Sequence, residues 1–119
     1  MISGISSGLS ALKALTVKTN SIADNTANVN TDGFKKTRVT LRESAAGGGA
    51  VSAYVQRLNT PGPLVHEQTP RGDTLVEKSN VELTEELPAL LLNRRFFQAN
   101  IKTIQTADQM LGSLLDIKG

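Results

Sequence analysis

His66 is the only histidine in the chain, and Glu67 follows it directly. An imidazole next to a carboxylate can transfer a proton or bind a metal ion. A general base also needs a positioned partner and a pocket, and no nucleophile stands at a recognisable spacing from this pair. Prolines lie on both sides of it in the sequence. We therefore interpret His66 as an ordinary loop residue.

Two other patterns have simple structural explanations. The three glycines at 47–49 lack the Gly-Lys-Ser/Thr ending that a phosphate-binding loop requires. Glu85 and Glu86 stand where a helix is expected to begin, and carboxylates there stabilise the positive end of the helix dipole. The chain has no cysteine, which excludes disulfides and thiolate chemistry. The sequence therefore predicts no catalytic residue, no cofactor and no metal site, and we do not expect an enzyme.

Composition argues against nucleic acid and membrane as partners. The 13 basic and 11 acidic residues are interspersed, and the longest basic runs, at 35–36 and 94–95, are too short to follow a phosphate backbone. Three Phe, one Tyr and no Trp provide little surface for stacking bases. The longest apolar run, at 89–92, is far below the ~20 residues of a membrane-spanning helix. A cleavable secretion signal is not expected, because the chain begins without a basic segment.

Both ends of the chain have the periodicity of amphipathic helices. In residues 1–30 the apolar side chains recur every three or four positions, and in residues 80–118 they follow a heptad pattern. Thr31-Asp32-Gly33 is typical of a helix end, since glycine readily adopts the left-handed backbone that stops a helix. Neither segment has its own core, so each must pair with the other, with a second copy or with a neighbour. The core positions predicted in the first segment are Ile2, Ile5, Leu9, Leu12, Leu15 and Ile22.

The C-terminal segment carries the clearer heptad pattern. Arg94 and Asp108 fall at core positions of the same frame, and they either extend their charged ends into solvent or pair across subunits to fix the register. Thr84 is the predicted N-cap, and Pro88 is tolerated in a first turn, so we expect the helix to begin close to Glu85. The core positions that this frame predicts are Leu83, Leu87, Leu90, Phe97, Ile101, Ile104, Leu111 and Leu115.

Between the helices the pattern favours short strands. Residues 38–43 and 51–58 alternate polar and apolar side chains, and residues 74–78 form a third short candidate. Three strands with so few large side chains need the helices or another subunit as a cover. The predicted fold is therefore mainly α with a small β-rich middle, in which the long terminal helices pair as a coiled coil. The predicted division is an N-terminal axial helix at 1–32, a β-rich central region at 33–79 and a C-terminal axial helix at 80–119.

Motifs at both ends resemble the signatures of bacterial flagellar rod and hook proteins. The first, Asn-x-Ala-Asn-x-x-Thr-x-Gly-Phe-Lys, occupies residues 25–35. The second, Ser-Asn-Val-Glu-Leu-Thr-Glu-Glu, occupies residues 79–86, and two shorter motifs follow at 97–100 and 104–111. Specific motifs at opposite ends, in the family's order, argue against a chance match. The residues that carry the resemblance include Asn25, Ala27, Asn28, Thr31, Gly33, Phe34, Asn80, Ala99, Asn100 and Asp108.

The resemblance implies a structural role in the flagellum. Proteins of this family pair their terminal helices and stack around the central channel of the rod, and they are exported by the flagellar type III secretion apparatus without signal cleavage. The implied partners are further copies, other rod or hook subunits and the export apparatus, and the implied location is the basal body. The short middle is like that of proximal-rod members, whereas the Asn-rich motif is closer to distal-rod and hook proteins, so the subclass stays open.

Two questions stay open from the sequence. The asparagines between 20 and 30 either belong to a frayed helix end or bond through their amides to the adjacent helix or to a neighbouring subunit. The alternative to a rod subunit is a cytoplasmic coiled-coil adaptor or flagellar export chaperone. Such a protein would share the amphipathic helices, but it would have no reason to carry the Asn-Gly-Phe-Lys signature.

Overall fold

The computed structural model describes residues 2–45 and 47–118, and it consists of two long helices separated by four short strands. This confirms a mainly helical fold with a small β-rich middle. The side chain of Ile2, a predicted core position, lies outside the part of the chain that is described. The elements are α1 (Ile2–Ala27), β1 (Thr37–Glu43), β2 (Val51–Arg57), β3 (Leu64–Thr69), β4 (Gly72–Glu77) and α2 (Leu83–Lys118).

The two helices run antiparallel along most of their length. Gly8 near the start of α1 lies against Ile104 in the second half of α2, and a Cβ on Gly8 would stand 2.8 Å from the Ile104 Cγ1 atom. At the other end of α1, Asn25 reaches Glu86 in the first turn of α2. α2 has 36 residues against 26 in α1, so its last turns continue past the described start of α1.

The strands form two separate antiparallel hairpins. β1 pairs with β2 in a register that sets Val39 opposite Val55, and β3 pairs with β4 so that His66 lies opposite Leu75. β3 was not expected: His66 lies on a strand and not in a loop. The run from 64 to 69 contains few β-branched residues, and its pairing with β4 through a two-residue turn supplies what its own sequence lacks.

The small core lies between α1, α2 and the β1–β2 hairpin. Its buried apolar side chains include three from α1 and one each from β1 and the segment before α2. Alternating positions on β1 point inward, as a half-buried strand requires. The buried apolar residues are Ala14, Leu15, Ile22, Val39 and Val81.

The β3–β4 hairpin, called the arm from here on (residues 64–77), projects away from this core. Among the described residues the arm makes no contacts with either helix or with β1 and β2 at the Cα level. The molecule is 80 Å long, although α2 spans only about 54 Å at 1.5 Å per residue. The arm therefore extends beyond the end of the helix pair at which α1 ends.

The start of α2 differs from the prediction by two residues. The helix begins at Leu83, because the Glu82 carbonyl already accepts bonds from the amides of Glu85 (3.0 Å) and Glu86 (3.1 Å). Thr84 is therefore inside the helix and is not its N-cap. Pro88 lies in the second turn, where its ring nitrogen leaves the carbonyl four residues earlier without an intrahelical donor.

Candidate assembly site

Asn25 joins three elements at the end of α1. Its side chain is 1% exposed, and it both donates to the Thr37 carbonyl (2.8 Å) and accepts from the Thr37 amide (2.9 Å). In this way the amide group imitates a neighbouring strand for the first residue of β1. Its Nδ2 also donates to the Glu86 Oε1 of α2 at 3.3 Å. Of the alternatives left open for the asparagines between 20 and 30, Asn25 makes the bond to the adjacent helix.

Asn80 has the same function on the other side of the junction. Its Oδ1 accepts from the Lys36 amide at 2.7 Å, and its Nδ2 donates to the carbonyls of Leu58 and Thr60 at 2.9 Å each. The backbone amide of Asn80 donates to the Phe34 carbonyl at 3.2 Å. One side chain thus holds together the chain entering β1, the chain leaving β2 and the chain entering α2.

Ion pairs surround these two amides. Lys36 binds the Glu85 carboxylate at 2.7 Å, and this lysine holds the pKa of Glu85 below its ordinary value of 4.5. The Lys35 ammonium binds Glu77 at the end of β4. Lys35 belongs to the first motif and Glu77 lies two residues before the second, so the pair links the first motif to the chain just ahead of the second.

The remaining motif residues lie at three different places. Asn28 continues the end of α1 through bonds to Asp24 and Thr31, and Gly33 adopts a left-handed backbone (φ +69°), as the sequence predicted. Phe34 is half-buried at the junction, and Ala27 is exposed. The C-terminal set lies far along α2, where Ala99 and Asp108 are exposed and Asn100 bonds to the carbonyl of Phe96 in its own helix. The motif residues therefore do not form one site.

The side of α2 that faces α1 is only partly the side that the heptad frame predicted. One stripe is shared, and on it Phe97, Ile104 and Leu111 are half-buried while Leu83 and Leu90 are 38% and 37% exposed. The second stripe differs. In the structure, the second stripe consists of the residues three positions after each residue of the shared stripe. The heptad frame predicted the residues four positions after. The stripe that the structure turns inward comprises Glu86, Asn93, Asn100 and Ala107.

Asn93 is the centre of this inner stripe and was not predicted. It is 1% exposed, and its Nδ2 donates to the Leu15 carbonyl (3.0 Å) and to the Thr19 hydroxyl of α1. Its Oδ1 is buried and has no hydrogen-bond partner among the described residues. An amide at this position fits the polar core residues of coiled coils, which specify register at a cost in stability.

The helix pair has one covered side and one open side. The β1–β2 hairpin covers the first, where the Ser7 hydroxyl donates to the Gly48 carbonyl (2.9 Å) and the Val51 amide donates to the Ser10 hydroxyl (3.0 Å). On the opposite side a groove runs between the helices. Its lining combines two apolar and four polar residues: Leu90 and Phe97, with Thr16, Thr19, Arg94 and Gln98. Because of the helical spacing, most of the core positions that the sequence predicted lie on this side.

We call the side of the helix pair that lies opposite the β1–β2 hairpin the open face. Leu9 and Leu87 are 50% and 52% exposed there, Ile101 is 38% exposed, and Ile5 and Leu12 are half-buried. Leu15 and Ile22, by contrast, are buried in the core, and Leu115 is 64% exposed near the end of α2. Arg94 and Asp108 are exposed, so neither charge is buried between the chain's own helices. Whether these residues meet another subunit stays a prediction.

The described part of the chain holds no group of three or more His, Asp or Glu side chains placed to bind a metal ion. His66 is exposed on the arm. Within the same residues, neither helix combines the length and the apolarity needed to cross a bilayer.

Comparison with known proteins assigns both helical ends. Residues 5–35 match the model of the flagella basal body rod protein family, and residues 74–117 match the model of the flagellar basal body rod FlgEFG protein C-terminal region. The chain belongs to the flagellar rod and hook family. In this family member, the two matched segments are those that Asn25, Asn80 and the Lys35–Glu77 pair hold together.

Individual relatives agree with this assignment. The chain is 41% identical over 89 residues to the flagellar basal-body rod protein FlgG of Bacillus subtilis, a match that covers 75% of the chain and 31% of that protein. It is 44% identical over 43 residues to the flagellar hook protein FlgE of Treponema pallidum and 40% identical over 43 residues to FlgE of Escherichia coli. These two matches cover 36% of the chain and 9% and 11% of the hook proteins. The chain thus matches under a third of the length of these relatives.

Proposed function

We propose that this chain is a structural subunit of the basal-body rod and that it supports flagellum-dependent motility. The open face is the observation that carries the proposal. It leaves Leu9, Leu87 and Ile101 exposed beside a groove between two long helices. Large apolar side chains that stay exposed on one side of a helix pair favour a protein contact, and family membership makes another axial subunit the expected partner.

Burial on assembly gives the open face its energetic role. Covering a Leu or Ile side chain contributes about 1.5–3 kcal/mol, and half of that is available for a side chain already half-buried. Association costs about 4–15 kcal/mol in lost freedom of motion. A few such side chains on one subunit do not exceed this cost by much. Stable stacking therefore needs several contacts per subunit, as a helical array of copies supplies.

The proposal assigns a role to each part of the chain. Residues 1–32 and 80–119 form the axial helical region, and residues 33–79 form the β-rich region beside it. The proposed partners are further copies, other rod or hook subunits and the type III export apparatus. The proposed location is the periplasm-spanning rod, reached without cleavage of a signal. Whether the chain belongs to the proximal rod, as its short middle suggested, or elsewhere along the axis is part of the same proposal.

Deletion and fractionation test this function. We expect a deletion strain to lose motility and to make basal bodies with an interrupted rod, and we expect plasmid-borne wild-type protein to restore both. An epitope-tagged chain should be recovered with purified basal bodies. A tagged chain found in the cytosol alone, in a strain with intact rods, would contradict the proposal and support the adaptor or export-chaperone alternative.

A further inference from the structure

The arm is attached to the rest of the molecule at a single base. Its strands make no Cα-level contact with α1, α2, β1 or β2 among the described residues. The chain enters through 58–63 and leaves through 78–81. A hairpin mounted on two chain segments has its direction set by the contacts at this base, because it has no packed face elsewhere that would hold it.

Glu77 makes three contacts at the base of the arm. Its carboxylate binds the Lys35 ammonium and accepts from the Gly62 amide at 2.9 Å, and its carbonyl accepts from the Gly33 amide at 2.9 Å. Lys35 and Gly33 belong to the segment that follows α1, whereas Gly62 belongs to the segment that enters the arm. One residue on β4 therefore joins the arm to the segment after α1 and to its own entry segment.

A second brace crosses the same base. Lys78 follows β4, and its ammonium binds Asp32 at 2.8 Å and also the Glu67 carboxylate of β3. Among the charged groups at the base, Lys35 contacts Glu77, and Lys78 binds Asp32 and Glu67.

The base is also tightly packed. A Cβ on Gly62 would stand 1.9 Å from the Lys78 carbonyl oxygen, so only glycine lets the two chain segments approach this closely. The Lys78 amide closes the base by donating to the Pro63 carbonyl at 2.8 Å. Packing and hydrogen bonds therefore keep the two segments together, while the link to the segment after α1 depends mainly on polar contacts.

We propose that Glu77 is a positioning residue that, together with Lys35, fixes the direction of the arm relative to the helix pair. This inference concerns the isolated chain and holds whether or not the protein assembles into a rod. The direction of the arm decides where its exposed Leu64 and Leu75 side chains, 64% and 58% accessible, are presented.

Electron–electron distance measurements test the proposal directly. The chain has no cysteine, so the double variant Lys13→Cys, Arg71→Cys carries one spin label on α1 and one at the turn of the arm. We expect a single narrow distance distribution in this labelled parent. Glu77→Ala removes both contacts of the carboxylate and should at least double the width. Glu77→Gln and Lys35→Met each remove one charge, and each should broaden it by less.

A matched control variant and a double-mutant cycle decide the interpretation. Asp73→Ala removes an exposed carboxylate from the same strand and should leave the width unchanged. The two side chains share the ammonium–carboxylate contact, and Lys35 also donates to the Thr60 carbonyl at 3.2 Å. Because of the shared contact, combining Lys35→Met with Glu77→Gln should broaden the distribution by less than the sum of the two single effects. An unchanged width in Lys35→Met and Glu77→Ala, or equal broadening in Asp73→Ala, would overturn the proposal.

Two further readouts separate direction from unfolding. Amide exchange in β3 and β4 should stay at the parent rate in Lys35→Met. This variant changes the residue of the ion pair that lies outside the arm, and it leaves the sequence of the arm intact. If Glu77→Ala accelerates this exchange, Lys35→Met decides the outcome alone. Acid is the second readout: the labelled parent should broaden as the pH falls through the range in which Glu77 takes up a proton, and Glu77→Gln should change less over the same range.

Discussion

The helix pair and the arm are held in place by different physics. In the helix pair, Leu15 and Ile22 are 2% and 5% exposed, and the buried amides of Asn25 and Asn93 make their bonds away from water. In the arm, Leu64 and Leu75 stay mostly exposed, and the attachment depends on lysines and carboxylates at the surface. Burial therefore fixes the first region, and charge fixes the direction of the second.

This difference predicts how each region responds to substitution. Losing a buried contact exposes a cavity or an unpaired amide, so the helix pair responds to substitution with large changes in stability. A solvent-exposed ion pair contributes little to folding and is screened by salt. Loss of an ion pair at the base of the arm should therefore alter geometry far more than it alters the free energy of unfolding.

The largest expected effect is in the helix pair. Leu15→Ala should lower the free energy of unfolding by about 2–4 kcal/mol, because it leaves a cavity where a fully buried side chain was. Urea denaturation followed by circular dichroism measures this. Leu114→Ala, at a position that is 51% exposed on α2, is the control and should change stability by less than about 0.5 kcal/mol. Equal losses of stability in the two variants would mean that the contact between α1 and α2 is not the hydrophobic core.

The next effect concerns the amide at the junction. Asn25→Ala should cost about 2 kcal/mol, because the Thr37 amide and carbonyl and the Glu86 carboxylate each lose a partner. Asn20→Ala, on an exposed position of the same helix, should be nearly neutral. Denaturation curves of the two variants give the comparison. A neutral Asn25→Ala would show that water replaces the lost bonds and that the junction is less enclosed than its burial indicates.

A smaller and more local effect is expected at the base of the arm. Gly62→Ala forces the Lys78 carbonyl away from its present position, and overpacking of this kind costs about 1–3 kcal/mol. Hydrogen exchange should accelerate at the Lys78 amide and stay unchanged in the middle of α1. Gly112→Ala has open space around its new Cβ and should stabilise α2 by about 0.5–1 kcal/mol. Parent-like exchange at Lys78 in Gly62→Ala would refute the close packing.

The smallest effect is a titration. Lys35 and Lys36 hold the pKa values of Glu77 and Glu85 below the ordinary 4.5. A lowered pKa means that each ion pair stabilises the fold fully above the unfolded value and that this stabilisation is lost as the pH falls through the folded value. Carboxyl chemical shifts should show both midpoints below 4.5. Lys36→Met should return Glu85 towards 4.5 and leave Glu77 where it was.

Periodicity predicted the helices well and the facing sides of α2 only in part. The shared stripe through Phe97 and Ile104 was recognised because it repeats every seven residues. Two adjacent stripes of α2 were candidates for the second inward-facing stripe, one through Leu87 and Ile101 and one through Glu86 and Asn93. Leu87 and Ile101 are more apolar than Glu86 and Asn93, and only the positions of Asn25 and Leu15 in α1 explain why the polar stripe lies inside.

The β-rich middle was harder to predict for a different reason. The alternation in β1 identified its strand, whereas β3 has few strand-forming residues and forms by pairing with β4. Glu77 and Lys35 are far apart in sequence, so no local pattern could predict their contact. Amide chemistry indicated a bond to the adjacent helix as one alternative for Asn25, but its partners, like those of Asn80, are far away in the sequence and could not be predicted from a local pattern.

The most direct test of the central claim is incorporation of surface variants into basal bodies. Leu87 and Leu92 are 52% and 55% exposed on α2, but Leu87 belongs to the open face and Leu92 points away from α1. Neither Leu87→Glu nor Leu92→Glu should change the thermal unfolding of the isolated chain. We expect Leu87→Glu to fall at least tenfold in purified basal bodies and to abolish motility, while Leu92→Glu stays within twofold of the parent. Parent-like incorporation of Leu87→Glu would contradict assembly through the open face.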